Sequence, residues 1–380
     1  MGPDCGTAIV NGKPLGFANA VTRGPIGIVA AAGTGLQEVS TLISNQGGGI
    51  SQALGTGGRD VKKEVGGIMF LEGLKVLAAD PETRVIVLVS KPPHPEVLER
   101  IAAAVRKVKQ PVVAIFLGAD PSVLTRAGMH PAATLEEAAF LAVELSRGGE
   151  PALVKTLLAE RDARIRELTN KIAGKAPAGP GYLRGLFSGG TFCYECQLIL
   201  RDLVGPVASN APLAPEQKLA DAWKSAGHTV VDLGEDEFTV GRPHPMIDYS
   251  LRNRRLEEEL KDPQAAVILL DVVLGYGSHP DPVEELGPIL SRAKKPVICS
   301  VTGTDQDPQQ RSRVERGLRE AGAVVMTSNA AACRLAGEVV RILAEQHEAG
   351  KHGKENKMEK PSCGCGKKVK PLPKSCTKTQ

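Results

Sequence analysis

The chain has 380 residues, 42% hydrophobic, 24% charged and 3% aromatic, which is apolar material for about two domains of ordinary size and makes disulfide or metal staples unnecessary. Its formal charge of +4 is local, because residues 346–380 hold nine lysines against three glutamates and leave 38 basic and 40 acidic residues elsewhere. A near-neutral body without interleaved arginines and aromatics excludes a phosphate-tracking stripe and a base-stacking platform, so no nucleic-acid partner is expected.

In chain order, GPIGIVAAAG (24–33), RVIVLVS (84–90) and PVVAIFLG (111–118) are short apolar, β-branched runs bounded by Gly, Pro or Asp, as buried strands are. Between them, TGLQEVSTLISNQ (34–46), VGGIMFLEGLKVLAAD (65–80) and PEVLERIAAAVRKVK (95–109) repeat apolar residues at three and four, the helical period. Alternating strands and helices predict a doubly wound parallel sheet. Residues 150–181 read as an amphipathic helix ending in an Ala-Pro-Gly spacer. The cycle then repeats, with strands at 181–189, 229–234, 266–275, 296–303 and 323–328 and helices at 191–203, 214–227, 281–295 and 309–322. Beyond about 345 almost no apolar residue remains, and a basic disordered tail is expected.

The halves superpose. Asp80-Pro81 matches Asp262-Pro263, His94-Pro95 matches His279-Pro280, Gln110-Pro111 matches Lys295-Pro296, Gly118-x-Asp120 matches Gly303-x-Asp305, and Gly58-Arg59 matches Gly241-Arg242, at offsets of 182 to 185. Two copies of one fold share the chain. No run approaches the roughly 18 apolar residues of a membrane-spanning helix, so no membrane is expected as a partner. Cys5, Cys193, Cys196, Cys299, Cys333, Cys363, Cys365 and Cys376 are scattered, and no secretory leader opens the sequence, which points to the reducing cytoplasm.

Both copies place Gly-Thr-x-x-x-Glu between a strand and a helix: Gly33-Thr34 with Glu38, and Gly190-Thr191 with Glu195. Glycine lets the backbone curl, and a helix start offers unpaired N–H groups at the positive end of the macrodipole. Gly33, Thr34, Gly35, Gly189, Gly190 and Thr191 are therefore the candidate phosphate-binding residues, with each threonine adding a hydroxyl donor or a helix cap and each glutamate near the first turn. One isolated turn of this kind is more often a plain strand-helix connection; two copies shift the balance. Cys193 and Cys196 are spaced like a redox pair, but burial on a helix face is the expected state.

These stretches resemble a known family. GPIGIVAAAGTGLQEV, LGTGGRD and PVVAIFLG are similar to the carboxy-terminal ligase domain of the succinyl-CoA synthetase α-subunit. Residues 1 to about 345 resemble FdrA, an acyl-CoA-synthetase-like protein, through MGPDCGTAIVNGKPLGFANAV (1–21), RGLFSGGTFCYE (184–195) and VGRPHPMIDYSLRN (240–253). The resemblance implies two tandem flavodoxin-like, succinyl-CoA-synthetase-like domains: 24–149 and 182–345, after a leader remnant at 1–23 and around a helical linker at 150–181, with the tail at 346–380. It implies two helices opposed across a phosphate. In relatives a CoA-binding domain precedes GPDCGT; here Met1 stands at that point, so the domain is expected to be absent, which puts CoA in doubt as a ligand. The family's phosphohistidine loop is replaced by ADPSVLTRAGMHPAATLEEAA (119–139), where His130 lacks a Gly-His-Ala-Gly setting, and no histidine relay is expected.

FdrA-type proteins are associated with oxamate carbamoyltransferase. The resemblance therefore implies carbamoyl or acyl transfer to or from phosphate, on a small-molecule substrate, with carbamoyl phosphate as a ligand, no certain cofactor and other complex subunits as partners. An acyl-CoA ligase subunit and a non-catalytic assembly subunit are the alternatives. Arg59 and Arg242, at matching places, are candidates to grip phosphate with their planar forks, and His244, two residues past Arg242, is the third catalytic candidate. His94 and His279 are acid-base or loop-fixing; Asp120, Asp271 and Asp305 are orienting or capping residues. No metal site is expected: Cys363, Cys365 and Cys376 lack zinc spacing.

Overall fold

The computed structural model of the protein describes residues 2, 4–174 and 181–358, with 348–358 by backbone alone. The chain opens with a hairpin, β1 (Thr7–Val10) and β2 (Lys13–Gly16), turned by Asn11 and Gly12 at φ 49° and 73°, the left-handed pair that matches strand twist. There follow β3 (Arg23–Ala30), α1 (Gly33–Asn45), β4 (Ile50–Gly55), α2 (Ile68–Ala79), β5 (Val85–Ser90), α3 (Pro95–Val105), β6 (Val112–Phe116), α4 (Pro121–Arg126), β7 (His130–Pro131) and α5 (Leu135–Ser146). Helix α6 (Ala152–Ala173) leads into β8 (Tyr182–Phe187), α7 (Gly190–Val204), β9 (Thr229–Asp232), α8 (Asp236–Thr239), α9 (Ser250–Lys261), β10 (Ala265–Val273), α10 (Pro282–Leu290), β11 (Val297–Thr302), α11 (Arg311–Glu320), β12 (Val324–Met326) and α12 (Asn329–Met358).

The strands make two sheets, ordered β2-β1-β4-β3-β5-β6-β7 and β12-β11-β10-β8-β9. Strands β3 to β7 and β8 to β12 are parallel and run in the same spatial order, second, first, third, fourth, fifth, the flavodoxin-like winding. The duplicated, doubly wound α/β architecture read from the sequence is therefore the architecture of the molecule. The hairpin modifies it: β1 pairs antiparallel with both β2 and β4, so residues 7–16 extend the first sheet.

Buried strands explain the apolar runs. Along β5, Val87 and Val89 face one core while Ile86 and Leu88 face another, the alternation a pleated strand imposes. Val87, Val89, Val113 and Ile115 of the first sheet belong to a core that continues through α1, α5, α7 and α12 to Leu183, Val267, Leu269 and Ile298 of the second. At about 1.5–3 kcal/mol for each large side chain removed from water, this common core holds the halves to each other.

Four sequence expectations are corrected. Residues 214–227 are not a helix: apart from one short turn at Pro215–Gln217, the segment runs beside residue 209, with Ser209 N–H bonded to Gln217 and Leu219 N–H to Ser209. The Asp221 carboxylate accepts the Trp223 N–H at 2.9 Å, a turn that competes with helix. Strand β4 and helix α9 are additional elements. Helix α12 runs to Met358, so the expected disorder fails for 346–358, while 359–380, with Cys363, Cys365 and Cys376, lies outside the described residues, as do 175–180 of the Ala-Pro-Gly spacer. Among the described residues no helix is long and apolar enough to cross a membrane.

Candidate functional site

Helices α1 and α7 begin against each other. Their cap positions are Ala32 and Gly189, neither making a side-chain cap bond, and the threonines stand at the second helical residue, so neither Thr34 nor Thr191 is a cap. A Cβ on Gly189 would stand 2.6 Å from Thr34 Cγ2, and one on Gly35 3.1 Å from Thr191 Cγ2. Only glycine allows this approach. The first intrahelical bonds are Leu36 N–H to Ala32 O and Cys193 N–H to Gly189 O, which leaves the amides of residues 33–35 and 190–192 without intrahelical partners.

Between the helix starts lies a cavity of about 520 Å³ whose wall includes Gly33, Thr34, Gly189, Gly190 and Thr191 together with Lys91, Ser188 and His244. The structure thus brings five of the six expected phosphate residues and one of the three catalytic candidates to one place. Gly35 is not in the wall; it is packed beneath Thr191 and Val89. Arg59 and Arg242 are also outside it. The Arg59 side chain is 81% exposed and only loosely opposed to Asp4 at 3.8 Å, and Arg242 is exposed, lying 6.0 Å from the centre of the Trp223 ring. The cation in the wall is Lys91, just after β5, which no repeat match singled out. A larger groove of about 670 Å³ between α2 and α3, lined by Ile68, Leu71, Leu74 and Ala104, lies away from both helix starts.

The two motif glutamates do not touch the cavity. Glu38 of α1 accepts hydrogen bonds from Thr302 Oγ1 (2.6 Å) and from Asn329 N–H at the start of α12 (2.9 Å). Glu195 of α7 accepts from Leu135 N–H at the start of α5 (2.8 Å) and from Asn329 Nδ2 (2.7 Å). Each carboxylate satisfies a helix start in the opposite half, so the repeated Glu is a crossed lock that holds α1 against α7. Burial raises both acids, Glu195 to about 7.

Three of the four His-Pro sequences, all but His130-Pro131 of β7, form the same turn. Nδ1 of His94, His244 and His279 accepts the N–H two residues ahead, at 3.4, 3.3 and 3.2 Å. Loop fixing is their common role, and of the three only His244 reaches the cavity, with burial lowering its pKa and Nε2 left as its free nitrogen. Asp120 caps α4 through Ser122 N–H, and Asp305 accepts Ser312 N–H. Asp271 orients its neighbours: its carboxylate accepts Ser188 N–H and Oγ–H at 2.8 and 2.9 Å and meets the fully buried Arg252. Cys193 is buried on α7 and burial pushes its thiol far up, while Cys196, also buried and raised by burial, faces Cys333 on α12, the buried helix-face state expected from the sequence.

One acid behind the cavity wall was not singled out by sequence, nor was Asp4, the carboxylate in the wall itself. Asp232, at the end of β9, is 2% exposed, and burial, reinforced by Glu235, pushes its carboxyl up to about 7. Its Oδ1 accepts Gly234 N–H at 2.9 Å. Its Oδ2 lies 2.5 Å, and Lys91 Nζ 3.5 Å, from the point where a Cβ on Gly190 would stand.

Residues 186–339 match the CoA-ligase family model, and residues 22–118 match the CoA-binding domain model. The second match corrects the expectation that a CoA-binding domain is missing: it covers β3 through β6, in the stretch assigned to the first ligase-like domain. YahF of Escherichia coli K12 is 41% identical over 349 residues, 90% of this chain and 67% of YahF. The malate–CoA ligase subunit alpha of Methylorubrum extorquens is 28% identical over 121 residues, 31% of this chain and 40% of that subunit. Among solved structures, the apo dinucleotide-forming acetyl-coenzyme A synthetase 1 of Ca. Korarchaeum cryptofilum covers 93% of this chain and 72% of its own, at 14% identity and a TM-score of 0.33.

Proposed function

This chain belongs to the acyl-CoA-synthetase-like family that includes YahF, and we propose from that premise that it holds phosphate, or an acyl or carbamoyl phosphate, between the starts of α1 and α7 during group transfer. The observation that carries the reading is the abutment of these two helix starts, Thr34 against Gly189, on a cavity that also presents Lys91. One helix end contributes about 0.3–1 kcal/mol toward an anion, up to roughly 2 when partly buried. Two ends and an ammonium group acting on one ligand make a seat where a lone turn would not.

Transfer from carbamoyl phosphate requires an acceptor nitrogen to attack the carbonyl carbon, after which the bond from carbon to the phosphate oxygen breaks and the phosphate leaves with its electron pair. Amides of Gly33 and Gly190, the threonine hydroxyls and Lys91 are placed to stabilise that departing charge. Partner subunits of a carbamoyltransferase-type complex would supply the acceptor site. A second reading, an acyl-CoA ligase subunit, is favoured by the CoA-binding match over residues 22–118 and by the similarity to malate–CoA ligase subunit alpha.

Phosphate and carbamoyl phosphate are expected to raise the melting temperature of the full chain. Thr34→Val with Thr191→Val removes two hydroxyl bonds to a charged ligand, each worth about 1.5–3 kcal/mol, and should weaken binding by about two to four orders of magnitude. Unchanged melting with either ligand refutes the phosphate seat. With the partner subunits present, nucleotide-dependent thioester formation without carbamoyl transfer would decide for the ligase reading.

A further inference from the structure

The wall of the cavity between α1 and α7 carries one carboxylate, Asp4, and a second, Asp232, lies directly behind the wall residue Gly190. Asp232 Oδ2 and Lys91 Nζ stand 2.5 and 3.5 Å from the same point on Gly190, and Asp232 Oδ1 and His244 Nε2 stand 3.1 and 2.9 Å from the corresponding point on Gly234. Asp232 therefore lies behind the first residue of α7, near Lys91 and His244 without touching either, with one oxygen bonded to Gly234 N–H and the other directed at Gly190. It is too buried for water to solvate its charge. A dianion in the cavity and an ionised carboxylate just behind its wall repel each other at low effective dielectric, and a proton on the carboxyl removes the repulsion.

We propose that the cavity takes up a tetrahedral oxyanion together with one proton from solvent, and that Asp232 holds that proton. The proposal rests on the oxyanion-seat reading of the cavity. The step is a protonation alone: the carboxylate becomes a carboxyl, the anion keeps its charge, and no other bond changes. Release of the anion returns the proton.

The groups facing Asp232 are few. Glu235 follows it in the chain, Asp271 approaches from β10, Lys91 from the turn after β5, Cys193 from α7 and His244 from the loop before α9. Asp271 is committed to Ser188 and Arg252. His244 is held below its ordinary range by burial, which favours its neutral form. Asp232, pushed up to about 7 by its burial, is ionised in part at neutral pH and so has a proton to gain. Glu195, further along α7, titrates in the same range but is bonded to Leu135 and Asn329.

Sulfate is the probe, because it stays a dianion where phosphate itself titrates. Calorimetric titration of the full chain with sulfate at pH 6, 7 and 8, in two buffers of different ionisation enthalpy, gives affinity and proton count together. The expected result is proton uptake that rises toward one per sulfate by pH 8 and an affinity falling about ten-fold per pH unit above 7. Asp232→Asn should abolish both trends, and Glu195→Gln should keep them. Should Asp232→Asn fail to fold, uptake in the wild type that survives in Glu195→Gln and His244→Gln supports the proposal. Sulfate binding without uptake, or uptake that persists in Asp232→Asn, overturns the role of Asp232 while leaving the seat intact. Absence of sulfate binding at every pH overturns the seat, and the proton with it.

Discussion

Glu195→Gln isolates the energetic effect of the crossed lock. Glu195 is 1% exposed, and burial raises its carboxyl from an ordinary value of 4.5 to about 7. The sign follows from linkage: between these values the folded chain carries a proton that the unfolded chain has released, so stability falls as pH rises from about 4.5 through about 7 and is flat above. At 1.36 kcal/mol per unit the full span is about 3 kcal/mol. The amide cannot ionise, so the variant should lose this slope. It should also show a pH-independent loss of about 1 kcal/mol, because its NH2 group meets Asn329 Nδ2, itself a donor. Urea unfolding of wild type and variant at pH 5.5, 6.5, 7.5 and 8.5 measures the difference directly, and Asp232 and Glu38, which also titrate high, cancel in the comparison. The variant should gain on the wild type by roughly 2 kcal/mol or more across this range. Parallel curves would mean that Glu195 is ionised in the folded protein at all these values and that the carboxylate, not the carboxyl, bonds Leu135 and Asn329.

Gly189→Ala places a methyl group 2.6 Å from Thr34 Cγ2 and must push α1 and α7 apart; denaturant unfolding should show a loss of about 1–3 kcal/mol and phosphate protection should vanish, whereas full protection would show that the helix starts need not touch. Arg59→Ala with Arg242→Ala should change stability by no more than about 0.5 kcal/mol and leave phosphate affinity in the isolated chain unaltered; a ten-fold loss would bring these arginines back into the site.

The duplicated fold was legible because parallel strands buried on both faces must be apolar runs, and because equal landmarks recurred at nearly equal spacing. Strand β4 escaped notice: GISQALG is short, flanked by glycines and carries Ser51 and Gln52, yet it is paired between β1 and β3. Helix α9 escaped for a different reason. The face it turns inward carries Arg252, Arg255 and Glu259 besides Leu256; Arg255 and Glu259 join Arg184 and Asp262 in a charge network, and Arg252 pairs with Asp271. A periodicity of apolar residues cannot find a helix whose core side is charged. At the site, the Gly-Thr starts were readable from local chemistry alone. Lys91 and Asp232 were not, because what makes each of them a site residue is a neighbour that only the packing of the two halves supplies.

That packing also breaks the symmetry of the repeat where it matters. Register sets Gly55 opposite Ala30 in the first sheet and Asp232 opposite Phe187 in the second, so glycine and aspartate occupy equivalent places at the strand edge beside the two helix starts. In the first half a side chain at Gly55 would collide with Cys5 Sγ and Thr7 O, because the amino-terminal segment leading into β1 fills the space that the carboxyl takes in the second. The segment after the hairpin then binds the halves across the molecule, with Asn19 Nδ2 bonded to Leu274 O and Asp307 Oδ2, both at 2.9 Å. The two helix starts therefore differ in what stands beside them, Lys91 on a loop of the first half and Asp232 at the end of a strand of the second. Under the proposed phosphate reading, a ligand between them meets a fixed charge on the first-half side and a titratable acid behind the second, and that difference gives it a direction, which a group transfer requires and a twofold-symmetric phosphate clamp does not provide.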